Sequence, residues 1–219
     1  MKKNGKKFLG LGSVFVVIFV IWTALIQLVD VQALGQNGTD IGFATFNCWF
    51  HKLTGESMTT YTITDILGIV PLSVCAVFAL MGFIQLVKRR SLFKLDKDII
   101  ILGIYYIVVI LAYVIFEKIP INYRPILIEG VMEVSYPSST TLLVLCVMPT
   151  LIEQINRRIR NVVANRVIFI STILFSMYMV IGRLISGVHW FTDIVGSIFL
   201  SLGLFNIYKG FVLIYNKEK

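Results

Sequence analysis

The sequence predicts an all-α membrane protein in which six transmembrane helices form a bundle. Hydrophobic residues make up 57% of the 219 residues, charged residues only 15%, and the mean hydropathy is +0.85. A soluble domain normally carries about 25% charged residues. The apolar residues occur in runs of roughly 20, the length at which a helix crosses a hydrocarbon core. None of these runs alternates as a barrel strand would, so each run predicts a helix.

Each apolar run predicts one span. The runs cover residues 8–29, 63–87, 99–116, 140–155, 167–185 and 191–215. The first run is longer than the apolar core of a cleaved signal peptide, about 7 to 15 residues. We therefore expect an uncleaved first span, with a signal peptide cleaved after Ala33 as the alternative. One membrane domain is expected over residues 1–219, with its core at 62–216 preceded by the extra first span and an outer loop at 30–62.

The positive charges predict the orientation of the chain. All but four of the 20 lysines and arginines lie on one side of the membrane if both termini are cytoplasmic. They occupy the N-terminal head, the segments 88–97 and 157–166, and the end of the chain, including Lys209, Lys217 and Lys219. Basic residues concentrate in cytoplasmic loops. We expect a multi-pass cell membrane protein whose net charge of +8 reflects topology, and no nucleic-acid partner.

Three polar segments are predicted to meet at the outer membrane face, namely residues 118–125, 136–140 and 182–193. Lys118, Arg124 and Arg183 bring positive charge to this level, and the planar guanidinium of arginine matches two phosphate oxygens at once. Ser138 and Ser139 precede a helix whose free N–H groups and dipole favour an anion. The sequence therefore predicts a phosphate-binding pocket on the extracytoplasmic side.

His189 and Asp193 are the candidate catalytic pair. They are four residues apart near the start of the sixth span, so they share one helix face. A carboxylate in this position can hold one ring nitrogen and leave the other free as a nucleophile. An ionisable residue inside a span also calls for a functional partner, and His189 is that partner for Asp193.

These segments resemble the type 2 phosphatidic acid phosphatase (PAP2) superfamily, which is related to the acid phosphatases and haloperoxidases. Its pattern is Lys, six residues, Arg-Pro; then Pro-Ser-Gly-His; then Ser-Arg, five residues, His, three residues, Asp. The resemblance covers Lys118 to Asp193 and implies a helical bundle that hydrolyses a membrane lipid phosphate or diphosphate, without a metal or cofactor. It implies that His189 attacks phosphorus and that Asp193 orients it. The phosphoryl oxygens would be held by Lys118, Arg124, Ser138, Ser139 and Arg183.

Three positions depart from the pattern. Lys118 lies one residue closer to Arg124, Gly182 replaces the serine before Arg183, and Thr140 stands where the family has a histidine. That histidine protonates the leaving group in the family. Threonine cannot do so near neutral pH, and general acid catalysis typically contributes about 10²- to 10⁴-fold in rate.

Several explanations of Thr140 stay open. A diphosphate substrate leaves as a lipid monophosphate, a weaker base than an alkoxide, which favours a polyprenyl diphosphate such as undecaprenyl diphosphate over phosphatidic acid. Another acid, such as His51 or Glu133, could replace the histidine. The chain could instead bind or transport phosphate lipids without turnover. A phosphotransferase is a further alternative.

The outer loop carries one more predicted element. Five apolar residues recur at helical spacing and predict an amphipathic helix on the outer membrane surface, namely Phe43, Phe46, Trp49, Phe50 and Leu53. His51 is expected to be a polar residue of that helix at the interface. Asp65, near the outer end of the second span, is expected to cap the helix or to line the site.

Overall fold

A computed structural model describes residues 2–215 as a bundle of α-helices joined by short connections. The helices are α1 (Lys2–Leu28), α2 (Ala44–Thr54), α3 (Met58–Leu67), α4 (Ile69–Arg89), α5 (Lys97–Lys118), α6 (Ser139–Arg158), α7 (Val162–Ile185) and α8 (Phe191–Tyr215). Six segments are long and apolar enough to cross a membrane, and one of them consists of α3 and α4 together. The predicted all-α fold with six spans is confirmed. Lys217 and Lys219 lie outside the described residues.

The second span differs from the prediction because it is built from two helices. It covers residues 58–89 rather than 63–87, and it is interrupted at Gly68. Pro71 lies in the first turn of α4 and has no N–H to donate to the carbonyl of Leu67, four residues earlier. A new helix therefore starts after Gly68. The separate helix α3 places Tyr61 and Asp65 beside Arg183 near the end of α7.

Helix α1 packs along α8 through glycines. A Cβ atom on Gly12 would lie 2.8 Å from the carbonyl oxygen of Gly203, and a Cβ atom on Gly5 would lie 3.0 Å from that of Gly210. Small residues at such positions allow two membrane helices to approach closely. At the other end of α1, the indole N–H of Trp22 donates to the carbonyl of Thr192 at 3.1 Å. The first helix therefore contacts α8 along most of its length.

A polar network joins three helices at the end of the bundle where α5 begins. Arg158 on α6 donates to Asp98 on α5 at 2.8 Å, and the side chain of Gln154 donates to the hydroxyl of Tyr208 on α8 at 2.9 Å. Gln154 also accepts a hydrogen bond from Arg158. Ionisable groups near a membrane interior are normally paired in this way. The network holds α5, α6 and α8 together at the end opposite the candidate site.

Helix α2 confirms the helix predicted in the outer loop. Phe46, Trp49 and Leu53 are exposed on one side, whereas Ala44 and Asn47 are buried on the other. The amide of Asn47 donates to the hydroxyl of Thr192 at 3.0 Å, and the backbone N–H of Thr192 donates to the amide oxygen at 3.3 Å. Its polar contacts therefore attach α2 to the first turn of α8.

Candidate active site

The three predicted polar segments lie at one end of the bundle. That end contains the end of α5, the beginning of α6 and the connection from α7 to α8. The segment between α5 and α6 folds back on itself, with the N–H of Arg124 donating to the carbonyl of Glu133 at 3.0 Å and that of Ser135 donating to Asn122 at 2.9 Å. Arg124 and Ser135 are thereby fixed beside the α7–α8 connection, which carries His189.

His189 is buried and its two ring nitrogens have different neighbours. Nδ1 lies 3.1 Å from the carbonyl oxygen of Ser135. A carbonyl can only accept, so Nδ1 carries the proton and Nε2 keeps its lone pair. Nε2 lies 3.4 Å from Nη2 of Arg183. Burial, followed by the charges of Arg183 and Arg124, holds the pKa of His189 well below its usual range, so the ring is neutral near neutral pH.

Asp193 is close to His189 but does not bond to its ring in the way the sequence predicts. Its Oδ2 atom is 3.8 Å from Nδ1, beyond hydrogen-bond distance, and it accepts instead from the backbone N–H of Trp190 at 3.0 Å. Oδ1 accepts from the side chain of Asn122 at 3.2 Å. Asp193 is the third residue of α8, and from this position its carboxylate accepts from the backbone N–H of Trp190, the residue just before the helix. It therefore holds the backbone next to His189, while the carbonyl of Ser135 orients the ring.

Arg124 and Arg183 form a pair of buried cations. In each side chain, Nε and Nη1 are buried without a hydrogen-bond partner among the described residues. Arg124 Nη2 contacts Glu133 at 3.0 Å, Arg183 Nη1 is 3.6 Å from Asp65, and both guanidinium groups lie beside the ring of Tyr61. An unpaired buried donor costs about 1–3 kcal/mol, and more when it is charged. The donors that remain fit an anion with several oxygens, such as a phosphoryl group.

Ser138 and Ser139 contribute to the site in different ways. Ser138 precedes α6, is fully buried, and donates its hydroxyl to Thr141 at 3.0 Å. Its backbone N–H faces the carbonyl of Asp193 at 3.4 Å. The hydroxyl and the backbone N–H of Ser138 are therefore both occupied by contacts within the protein. Ser139 is half-buried beside His189, and the N–H groups of the first turn of α6 that begins there have no carbonyl partners within the helix.

Two cavities lie beside Ser139. A small cavity of about 20 Å³ lies between Glu117, Ser139 and His189. A larger groove of about 530 Å³ lies between α3, α4, α5 and α6, and its polar lining residues include Thr140 and Asp65. The other groove residues are mostly apolar, among them Ile66, Ile69, Leu72, Val109, Ile110 and Leu143. Ser139 lines both cavities, so the groove lies next to the cavity that His189 lines.

Lys118 lines neither of these cavities. It is the last residue of α5, it is exposed, and it forms no hydrogen bond or ion pair within residues 2–215, so its phosphate-binding role stays a prediction. Glu117 lines the cavity beside His189 instead. Successive helical residues point about 100° apart, so the two side chains cannot face the same way. Glu117 also lies seven residues before Arg124, the spacing of the lysine in the family pattern, and this signal could have identified it.

The two acids considered as replacements for the missing histidine lie elsewhere. Nε2 of His51 is 3.0 Å from the carbonyl of Gly187, and the ring packs beside Trp190. Glu133 is paired with Arg124. Neither residue lines the small cavity or the groove. Tyr61, Asn122 and Ser135 are site residues that sequence reasoning missed.

Comparisons with known proteins agree with the predicted resemblance. Residues 117–214 match the family model of the PAP2 superfamily, which confirms the resemblance over that region. The fold is similar to the crystal structure described as the first transmembrane PAP2 type phosphatidylglycerolphosphate phosphatase from Bacillus subtilis. The TM-score is 0.67 at 16% sequence identity, covering 95% of this chain and 99% of that chain. At this identity the similarity shows a shared fold. No curated protein sequence matches the chain significantly.

Proposed function

We propose that this chain is a PAP2-type membrane phosphatase that hydrolyses a lipid phosphate or diphosphate through a phosphohistidine intermediate. One observation carries the proposal. The neutral ring of His189 directs a free nitrogen towards Arg183, and Arg183 and Arg124 each retain buried donors without partners. A phosphoryl group bound there would satisfy the donors and place phosphorus next to the nucleophile.

The reaction follows from this geometry. Nε2 of His189 attacks phosphorus, and the bond from phosphorus to the lipid oxygen breaks as the N–P bond forms. Arg124 and Arg183 stabilise the negative charge of the phosphoryl oxygens, which is the main requirement of phosphoryl transfer. Water then cleaves the N–P bond and releases inorganic phosphate. Asp193 and Ser135 hold His189 in place throughout.

The groove supports a lipid as the substrate. Its apolar lining suits a hydrocarbon chain, and burying one CH₂ group contributes about 0.8 kcal/mol. The groove meets the site at Ser139 and Thr140, so the bond that breaks would lie next to Thr140. Because Thr140 is a poor proton donor, a leaving lipid monophosphate suits this position better than an alkoxide. We therefore favour a polyprenyl diphosphate such as undecaprenyl diphosphate, with phosphatidylglycerolphosphate, named for the similar Bacillus subtilis protein, as a second substrate to test.

We also propose that the site faces the extracytoplasmic side. Arg89, Arg158 and the N-terminal lysines lie at the end of the bundle opposite the site. Basic residues mark the cytoplasmic ends of membrane helices. Both termini would then be cytoplasmic. Single cysteines introduced near Lys52 or near Lys94 test this orientation. In intact cells, an impermeant reagent should modify the cysteine near Lys52 and not the one near Lys94.

The central experiment measures phosphate release by the purified protein in detergent. Undecaprenyl diphosphate, without added metal, should release phosphate, and His189→Ala should abolish the release. A substrate labelled in its terminal phosphate should label the wild-type protein but not the variant. If the wild type releases no more phosphate than His189→Ala from any lipid phosphate tested, the enzyme proposal is wrong.

Thr140 favours one alternative function. A protein with the arginine pair but no acid on the leaving-group side can bind phosphate lipids without hydrolysing them. Retention of lipid phosphate by the wild type without release, together with loss of retention in Arg183→Ala, would support binding or transport. Release of phosphate would exclude it.

A further inference from the structure

The small cavity beside His189 has the size and lining of a site for one water molecule. Its volume is about 20 Å³. A cavity holds a water when it offers at least about 10–15 Å³ and two to four polar partners. The polar residues of the lining include Glu117 on α5, Ser139 on α6 and His189. Glu117 and His189 both line this cavity, so a water in it would have both residues as neighbours.

Hydrolysis of a phosphohistidine requires a group that removes a proton from the attacking water. Arg124 and Arg183 are cations, and hydroxyl groups such as that of Ser139 are poor bases. The carboxylate of Asp193 is held by Asn122 and by the N–H of Trp190. None of these four side chains is therefore suited to remove a proton from the attacking water.

Glu117 is suited to remove that proton. Glu133 is paired with Arg124, and His51 contacts the carbonyl of Gly187 outside the cavity. Glu117 is the one residue with a carboxylate among those that line the cavity. It lies in the last turn of α5, where its side chain is exposed.

We propose that Glu117 is the general base for the second half of the reaction, a role that rests on the phosphatase function proposed above. The water oxygen forms a bond to phosphorus as the bond from phosphorus to Nε2 of His189 breaks. The proton of the water passes to the Glu117 carboxylate and then to solvent. Inorganic phosphate leaves, and His189 regains its lone pair with its proton still on Nδ1.

This assignment separates the two halves of the reaction. Formation of phosphohistidine from a diphosphate needs no proton donor, because the leaving lipid monophosphate is a weak base. Its hydrolysis needs Glu117. Removing the carboxylate should therefore leave the first step intact and trap the covalent intermediate.

The test uses Glu117→Gln in the full-length protein with a lipid diphosphate labelled in the terminal phosphate. We expect a burst of one lipid product per protein, a stable label on His189, and steady turnover lower by about 10²- to 10⁴-fold. The burst itself requires a folded site, so it separates loss of the base from misfolding. Glu117→Asp keeps a carboxylate and should recover part of the turnover.

Glu129→Gln is the matched control. Glu129 is exposed in the same connection, lines neither cavity, and carries the same charge. It should turn over like the wild type and accumulate no more label than the wild type does. Wild-type turnover in Glu117→Gln, or loss of both burst and label in that variant, would overturn the assignment while leaving the phosphatase proposal intact. A wild-type protein with neither phosphate release nor label would overturn both.

Discussion

Nε2 of His189 lies 3.4 Å from Nη2 of Arg183, and both side chains are buried at the same end of the bundle. A guanidinium and a neutral imidazole nitrogen at this distance leave the histidine lone pair facing a positive charge. A phosphoryl group that enters the site meets the nucleophile and the cation together. In the proposed reaction, Arg183 would therefore both neutralise the phosphoryl charge and direct phosphorus to His189.

Arg183→Lys should reduce kcat/KM by about 10²- to 10³-fold, the range for loss of a donor that stabilises transition-state charge. Lysine keeps the charge but loses the planar fork that contacts two oxygens. Steady-state phosphate release measures the effect. The exposed Arg166 on α7 provides the control, since Arg166→Lys should not alter kcat/KM. Equal rates for both variants and the wild type would contradict the role of Arg183.

The activity should persist on acidification through pH 6.5, the ordinary pKa of histidine. Burial and the two arginines hold the pKa of His189 well below this value, so its free nitrogen stays unprotonated. The unfolded chain, in contrast, binds a proton at this histidine below pH 6.5. The free energy of unfolding should therefore decrease as the pH falls below 6.5, because only the unfolded chain protonates His189. Above pH 6.5 the histidine is neutral in both states and should not change the stability. Profiles of kcat/KM and of thermal unfolding between about pH 5 and 8 measure both effects.

Thr140→His should increase hydrolysis of a lipid monophosphate more than that of a diphosphate. The imidazole can protonate an alkoxide, and it should restore part of the roughly 10²- to 10⁴-fold that general acid catalysis contributes. Thr140→Asn adds a polar side chain without an acid and should leave the ratio of the two rates unchanged. A ratio that is the same in all three proteins would argue against a leaving-group effect at this position.

Asn122→Ala should lower the free energy of unfolding by about 1–3 kcal/mol, because it leaves buried Oδ1 of Asp193 without its donor. It should also reduce kcat, since Asp193 holds the backbone next to His189. Asn4→Ala, at an exposed position of α1, should change neither quantity. Thermal unfolding in detergent and phosphate release give the two readouts. An Asn122→Ala protein with wild-type stability would show that Asp193 does not depend on this contact.

Gly12→Ala should destabilise the packing of α1 against α8 by about 1–3 kcal/mol, the usual cost of overpacking. Its Cβ would lie 2.8 Å from the backbone oxygen of Gly203, which cannot move aside as a side chain can. Gly10→Ala is the matched control because nothing lies within 4 Å of its added Cβ. The control should be neutral or stabilised by up to about 1 kcal/mol, as expected when alanine replaces glycine in a helix. Thermal unfolding of both variants distinguishes the two positions.

The sequence predicted the features that have local or periodic signals. The apolar runs predicted the membrane spans, and the spacing of four residues predicted that His189 and Asp193 lie close together. Asn47 was missed because its partner Thr192 is 145 residues away and no local pattern connects them. Ser135 was missed because its contact with His189 uses a backbone carbonyl, which any residue possesses. The interruption at Gly68 was missed because the apolar run at 63–87 continues from the second half of α3 into α4.

In the proposed phosphatase reaction, the contacts of the arginine pair would also affect how the catalytic cycle ends. Glu133 occupies one donor of Arg124, and Asp65 lies 3.6 Å from Arg183. Two wholly free buried guanidinium groups would retain inorganic phosphate after each turnover and leave the enzyme inhibited by its own product. The two carboxylates would compete with that phosphate and lower its affinity for the site. They would therefore favour product release, so that the next lipid could enter from the groove.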